Sequence, residues 1–136
     1  MTKLAGAFLG TLIVCAGTAV AAAPMTLNCE FSSYDGAGSK RDVQQIVPVF
    51  STHRIDGTVA VLDETGVGGL AEDGGSEIRL KYKDRMRVAG EVNIEYVYKR
   101  GSGQAFVKTR AVRQSPWDDF PERNGIFTIH GACNEG

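Results

Sequence analysis

The stretch Glu77-Ile78-Arg79-Leu80-Lys81-Tyr82-Lys83-Asp84-Arg85-Met86-Arg87-Val88 decides the fold class. Ile78, Leu80, Tyr82, Met86 and Val88 fall on one face, and Glu77, Arg79, Lys81, Lys83, Arg85 and Arg87 on the other. A period of two held over this length is a strand with one buried and one wet face. Downstream, Val92, Ile94, Tyr96 and Tyr98 repeat the pattern, and Ala105, Val107 and Ala111 carry a weaker version. Phe127, Ile129 and Cys133 close the series. Upstream, Leu27, Cys29 and Phe31 alternate with Asn28 and Glu30, and 58–62 is a short apolar run. Ile46 to Phe50 is another, placed at an edge or bulge by Pro48. The sum is an all-β chain of about seven strands with no amphipathic helix.

Register follows from keeping one face of each strand apolar. A turn at Ala89-Gly90-Glu91 sets Val88 opposite Val92, Met86 opposite Ile94 and Arg85 opposite Glu95. A turn at 100–103 sets Lys99 opposite Gln104 and Lys108 beside Glu95. Glu95 then lies between two cations, while Arg79, Lys81, Lys83 and Arg87 keep no opposite charge.

The N-terminus reads as an export leader. Lys3 gives a positive start, 4–20 is apolar, and Ala19 to Ala23 offers small residues for cleavage. Residues 1–23 are therefore expected to be a signal peptide cut near Ala21–Ala23, and 24–136 a single all-β domain, periplasmic or secreted. The apolar run is too short to be a convincing membrane anchor. Cys15 goes with the leader, lipidation at that residue being the alternative. The mature chain keeps Cys29 and Cys133, and two cysteines in an oxidising compartment imply one disulfide. It joins the first predicted strand to the last across about 100 residues, a closure of up to about 4 to 5 kcal/mol on the chain-entropy model. First and last strands held together suggest a small antiparallel β-barrel or barrel-like meander, with a two-sheet sandwich as the alternative.

Charge is unevenly spread. Residues 79–113 carry ten Lys/Arg against three acids, while the rest of the mature chain carries four against thirteen. Strands of opposite sign pairing with each other, or a basic face on an acidic body, would both produce this. Nucleic acid is not expected as a partner outside the cell body at a net acidic charge.

The motifs exclude more than they assign. Gly66-x-Gly68-x-x-Ala71 matches the spacing of a dinucleotide fingerprint, but the acidic, Gly-rich 72–76 follows instead of a helix, so it reads as a mobile loop. Neither His53 nor His130 sits in a hydrolase or metal motif, and two histidines and no Cys-x-x-Cys are too few for a zinc cage. No cofactor, metal or catalytic residue is expected; a carboxylate pair for hydrolysis has no particular candidates among the acids. In Ser115-Pro116-Trp117-Asp118-Asp119-Phe120-Pro121, the only Trp of the chain reads as a barrel plug or as an aromatic contact for a partner.

Ser102-Gly103-Gln104-Ala105-Phe106, with Trp117, Cys29 and Cys133, resembles a stretch of the periplasmic inhibitors of c-type lysozyme. Those are small disulfide-bearing β-barrels. The resemblance covers a handful of positions, and the interval from Ser-Gly to Trp departs from the family's. It implies a lysozyme-binding role for Ser102, Gly103 and Phe106.

The expected function is binding rather than catalysis. Arg79, Lys81, Lys83, Arg87 and Trp117 are the candidate contacts, towards an anionic envelope polymer or a protein, with the chain a monomer. The alternative is a carrier of a small apolar ligand inside the barrel.

Overall fold

The computed structural model describes residues 23–36, 40–114 and 124–136. The leader apart from Ala23, Cys15 and the 115–121 segment with Trp117 lie outside these residues. Eight antiparallel strands follow one another around a closed barrel, each hydrogen-bonded to its neighbours in sequence, with the last returning to the first. They are β1 (Met25–Gly36), β2 (Phe50–Asp56), β3 (Val59–Leu62), β4 (Val67–Asp73), β5 (Glu77–Met86), β6 (Gly90–Lys99), β7 (Gln104–Ala111) and β8 (Phe127–Glu135). One short helix, α1 (Lys40–Ile46), lies between β1 and β2.

Closure rests on β1 and β8, which pair from Leu27–Glu135 to Gly36–Phe127 around a bulge at Phe31/Ser33. Cys29 and Cys133 are direct partners in that ladder and form the disulfide. The bond therefore staples the seam at which the sheet meets itself.

Alternation runs apolar inside and charged outside, the reverse of a lipid-facing barrel. Leu27, Phe31, Leu62, Ile78, Leu80, Ile94, Tyr96 and Ile129 are all buried. Tyr96 is the hub, with ring centroids 5.6 Å from Phe31, 4.4 Å from His53 and 5.7 Å from Tyr82. Eight strands enclose a space that side chains can fill, and these aromatics occupy it. Among the described residues, no helix is long and apolar enough to cross a membrane.

Four expectations change. The run Ile46–Phe50 is not a strand: Ile46 ends α1, whose Val43 and Ile46 are buried with the following Val47, and only Phe50 enters β2. Two apolar residues, Val43 and Ile46, on the seven positions of α1 are too few to separate a short helix from a short strand. The strand β2 itself hides its period, because two of its inward residues are Ser51 and His53. Polar inward residues read as solvent-facing until their partners are known.

The predicted loop after Gly66 contains β4. Its Gly69 faces Tyr82 across the ladder, and a Cβ there would run into the Tyr82 ring and the Lys81 carbonyl. The glycine makes room for a tyrosine on the next strand, so a Gly-rich segment is paired sheet rather than loop.

The β5–β6 register is displaced by four residues. Met86 lies opposite Gly90 and Arg85 opposite Glu91, with the turn at Arg87–Ala89 and Val88 about half exposed. Gly90, at φ 71°, supplies the left-handed residue that closes this turn. Because the displacement is even, every side chain that stays in the two strands keeps its face, while Val88 moves into the turn. The β6–β7 register is as expected, with Glu95 opposite Lys108.

Candidate functional site

The displaced register rearranges the charges. Glu95 now lies between Lys81 and Lys108, not between Arg85 and Lys108. Three of the four cations expected to be unmatched have carboxylate neighbours. Arg79 bonds Glu77 and Glu95, each at 3.0 Å, Lys81 reaches Glu72 at 3.3 Å, and Arg87 approaches Asp42 at 4.0 Å. Among the described residues, Lys83 has no ion pair.

Lys83 opens onto a groove of about 780 Å³ that runs over the outside of β4 to β8. Its outward lining residues lie in two adjacent cross-strand rows. In the first, Leu70, Lys81, Glu95, Lys108 and Thr128 are successive ladder partners. In the second, Lys83 faces Asn93 and Asn93 faces Arg110. Gly68 and Ile126 continue the second row, one position beyond the Gly69–Tyr82 and Thr109–Phe127 pairs. Leu70 and Ile126 are exposed, at 61% and 41%.

Lys81 and Lys83 of the expected contacts line this groove, whereas Arg79 and Arg87 do not. Trp117 lies outside the described residues. Lys108 and Arg110 join them because β7 follows β6 around the barrel. Their alternation with Val107 and Ala111 was visible in the sequence, but their alignment with Lys81 and Lys83 depended on register.

Ser102 and Gly103 occupy the turn between β6 and β7, where the Gly103 N–H donates to the Lys99 carbonyl. Phe106 points outward beneath Lys108, whose Nζ is 5.6 Å from the ring centre. It lines a separate depression of about 220 Å³ with Gln104 and His130. No family model, curated protein or solved structure matches the chain.

A second polar cluster lies inside the barrel. His53 Nε2 is 2.9 Å from Ser51 Oγ, and Nδ1 is 2.8 Å from the Tyr82 hydroxyl. One ring nitrogen donates and the other accepts. The distances are those of a nucleophile and its base, but Ser51 is 2% exposed and His53 not at all. A hydroxyl sealed in this way cannot meet a substrate, and the trio serves the packing. Burial pushes the His53 pKa down to about 4, against a smaller opposing pull from Asp63. Burial likewise raises Tyr82 and Tyr96, keeping both phenols neutral.

Outside the groove, Arg100 ties one end of the barrel together. It holds Asp73 at 2.7 Å and Glu135 at 3.0 Å, and donates to the Gly75 carbonyl. The hydrogen bond from Arg100, then that from the Gly75 N–H, lowers the Asp73 pKa. Among the described residues, no group of three or more His, Cys, Asp or Glu is arranged to hold a metal.

Proposed function

We propose that the protein is an exported binding module whose outer groove over β4–β8 takes an acidic partner. The observation that carries this is the set Lys81, Lys83, Lys108 and Arg110 converging on one concavity in which Glu95, the one acid among the described lining residues, is engaged by Arg79. Cations in a cleft raise the local concentration of an anionic ligand and speed its arrival. The leader-like N-terminus and the Cys29–Cys133 disulfide support export. An apolar carrier draws less support, because Tyr82, Tyr96 and Phe31 occupy the interior it would need. A lysozyme-directed role would use Ser102, Gly103 and Phe106, which are not among the residues lining the groove.

The test is retention of the mature protein on immobilised dextran sulfate and on polyglutamate as salt is raised. Retention at low salt should weaken with added salt and be largely lost in a quadruple Lys81, Lys83, Lys108 and Arg110 to Gln variant. An Arg79→Gln, Arg87→Gln variant should keep most of it. Equal retention of both variants, or none of the wild type on either matrix, overturns the proposal.

A further inference from the structure

The two rows of the groove differ at one position, and the difference describes the ligand. In the first row a carboxylate, Glu95, stands between Lys81 and Lys108. In the second an amide, Asn93, stands between Lys83 and Arg110. In the first row Glu95 is bonded by Arg79 and Lys81 by Glu72. The second row holds two cations with no carboxylate between them, and neither Lys83 nor Arg110 has an ion pair among the described residues. Adjacent strands lie about 4.8 Å apart, so the two cations flank Asn93 across roughly 10 Å. An oxyanion over Asn93 would receive a hydrogen bond from its amide and charge-assisted bonds from both sides.

The surroundings narrow the class. Exposed Leu70 lies towards one end of the groove and exposed Ile126 towards the other, with the cations between them. Gly68 leaves the floor beside Lys83 open, since a Cβ there would meet nothing within 4 Å. A concave groove does not lie flat on a bilayer. A sulfated or carboxylated polysaccharide has charge along its length but no apolar side chains for the two ends.

We infer that the groove takes an extended acidic segment of a partner protein, seating one carboxylate over Asn93 between Lys83 and Arg110, with apolar side chains on Leu70 and Ile126. From β4 to β8 is four strand intervals, roughly 19 Å, which an extended peptide covers in about six residues. The inference rests on the proposed acidic-partner function and gives that partner its chemistry.

The probe is a capped synthetic hexapeptide with two central aspartates and a leucine at each end, titrated into the mature protein by calorimetry. Two controls replace the aspartates by asparagine or the leucines by serine. Saturable binding is expected, weakened at least tenfold by Lys83→Gln or Arg110→Gln. Leu70→Ser with Ile126→Ser should weaken the leucine peptide several-fold and leave the serine-ended peptide unchanged. All these positions are solvent-facing, and circular dichroism verifies folding of each variant. Dextran sulfate and phosphatidylglycerol vesicles serve as the alternative ligands. If either binds through Lys83 and Arg110 while the peptide does not, the peptide inference fails and an acidic partner stands. If neither peptide, polymer nor vesicle binds, both fail. Peptide binding indifferent to Lys83 and Arg110 also overturns the inference.

Discussion

Lowering the pH should destabilise the barrel through His53 well before the carboxylates titrate. The side chain is fully buried with both ring nitrogens bonded, so the folded state holds it neutral to about pH 4. In the unfolded chain it takes a proton near its ordinary value of 6.5. The depressed folded pKa makes its contribution fully present above 6.5, and protonation of the unfolded chain erodes it as the pH falls. Each pH unit within that window costs about 1.4 kcal/mol. The loss is therefore about 2 kcal/mol between about pH 7 and about pH 5, and about 3 kcal/mol by about pH 4, where folded His53 also protonates. Urea melts followed by circular dichroism across this range measure it. His53→Gln keeps an amide donor and acceptor near Ser51 and Tyr82 but cannot titrate. It should be less stable at neutral pH and lose most of the slope between about pH 7 and about pH 5. His130→Gln, on the exposed face, serves as the control and should keep the slope. Asp73 does not confound the range from about pH 7 to about pH 5, because its contribution is lost only as the pH falls through the ordinary 3.8 of the unfolded chain towards its lower folded value. An unchanged slope in His53→Gln, or a flat wild-type profile, would refute the burial of a neutral imidazole.

Two further contrasts test the interior by thermal and urea unfolding. Tyr82→Phe removes the partner of His53 Nδ1 and should cost about 1 to 3 kcal/mol, the penalty of an unsatisfied buried group. Tyr96→Phe should be neutral or stabilising, because its buried hydroxyl has no hydrogen-bond partner; equal losses in the two would argue against the assigned network. Gly69→Ala should cost about 1 to 3 kcal/mol or more, because its Cβ collides with Tyr82 and the Lys81 carbonyl. Gly68→Ala, one residue away with open space, should change stability by less than about 0.5 kcal/mol. Similar effects at both glycines would contradict the β4–β5 register.

The alternation from Glu77 to Met86 specified a strand and its buried face without any knowledge of its neighbours. A period of two is a local property of the chain, set by the pleat. Two cysteines near the ends of the β-rich region likewise implied the one disulfide, because a single pairing is available. The strands that stayed hidden, β2 and β4, are those whose inward positions hold Ser51, His53, Gly69 and Ala71 instead of large apolar groups. Each makes sense only against Tyr82 on β5, which bonds His53 and fills the space beside Gly69. The groove was equally non-local. The sequence showed that Lys81, Lys83, Lys108 and Arg110 point outward but not that they converge. A four-residue change in one hairpin register left the faces of the paired residues intact while exchanging every β5–β6 partner. Which cations meet a carboxylate and which face an amide is therefore a property of the closed barrel. Alternation carries the faces, and only strand pairing decides the neighbours.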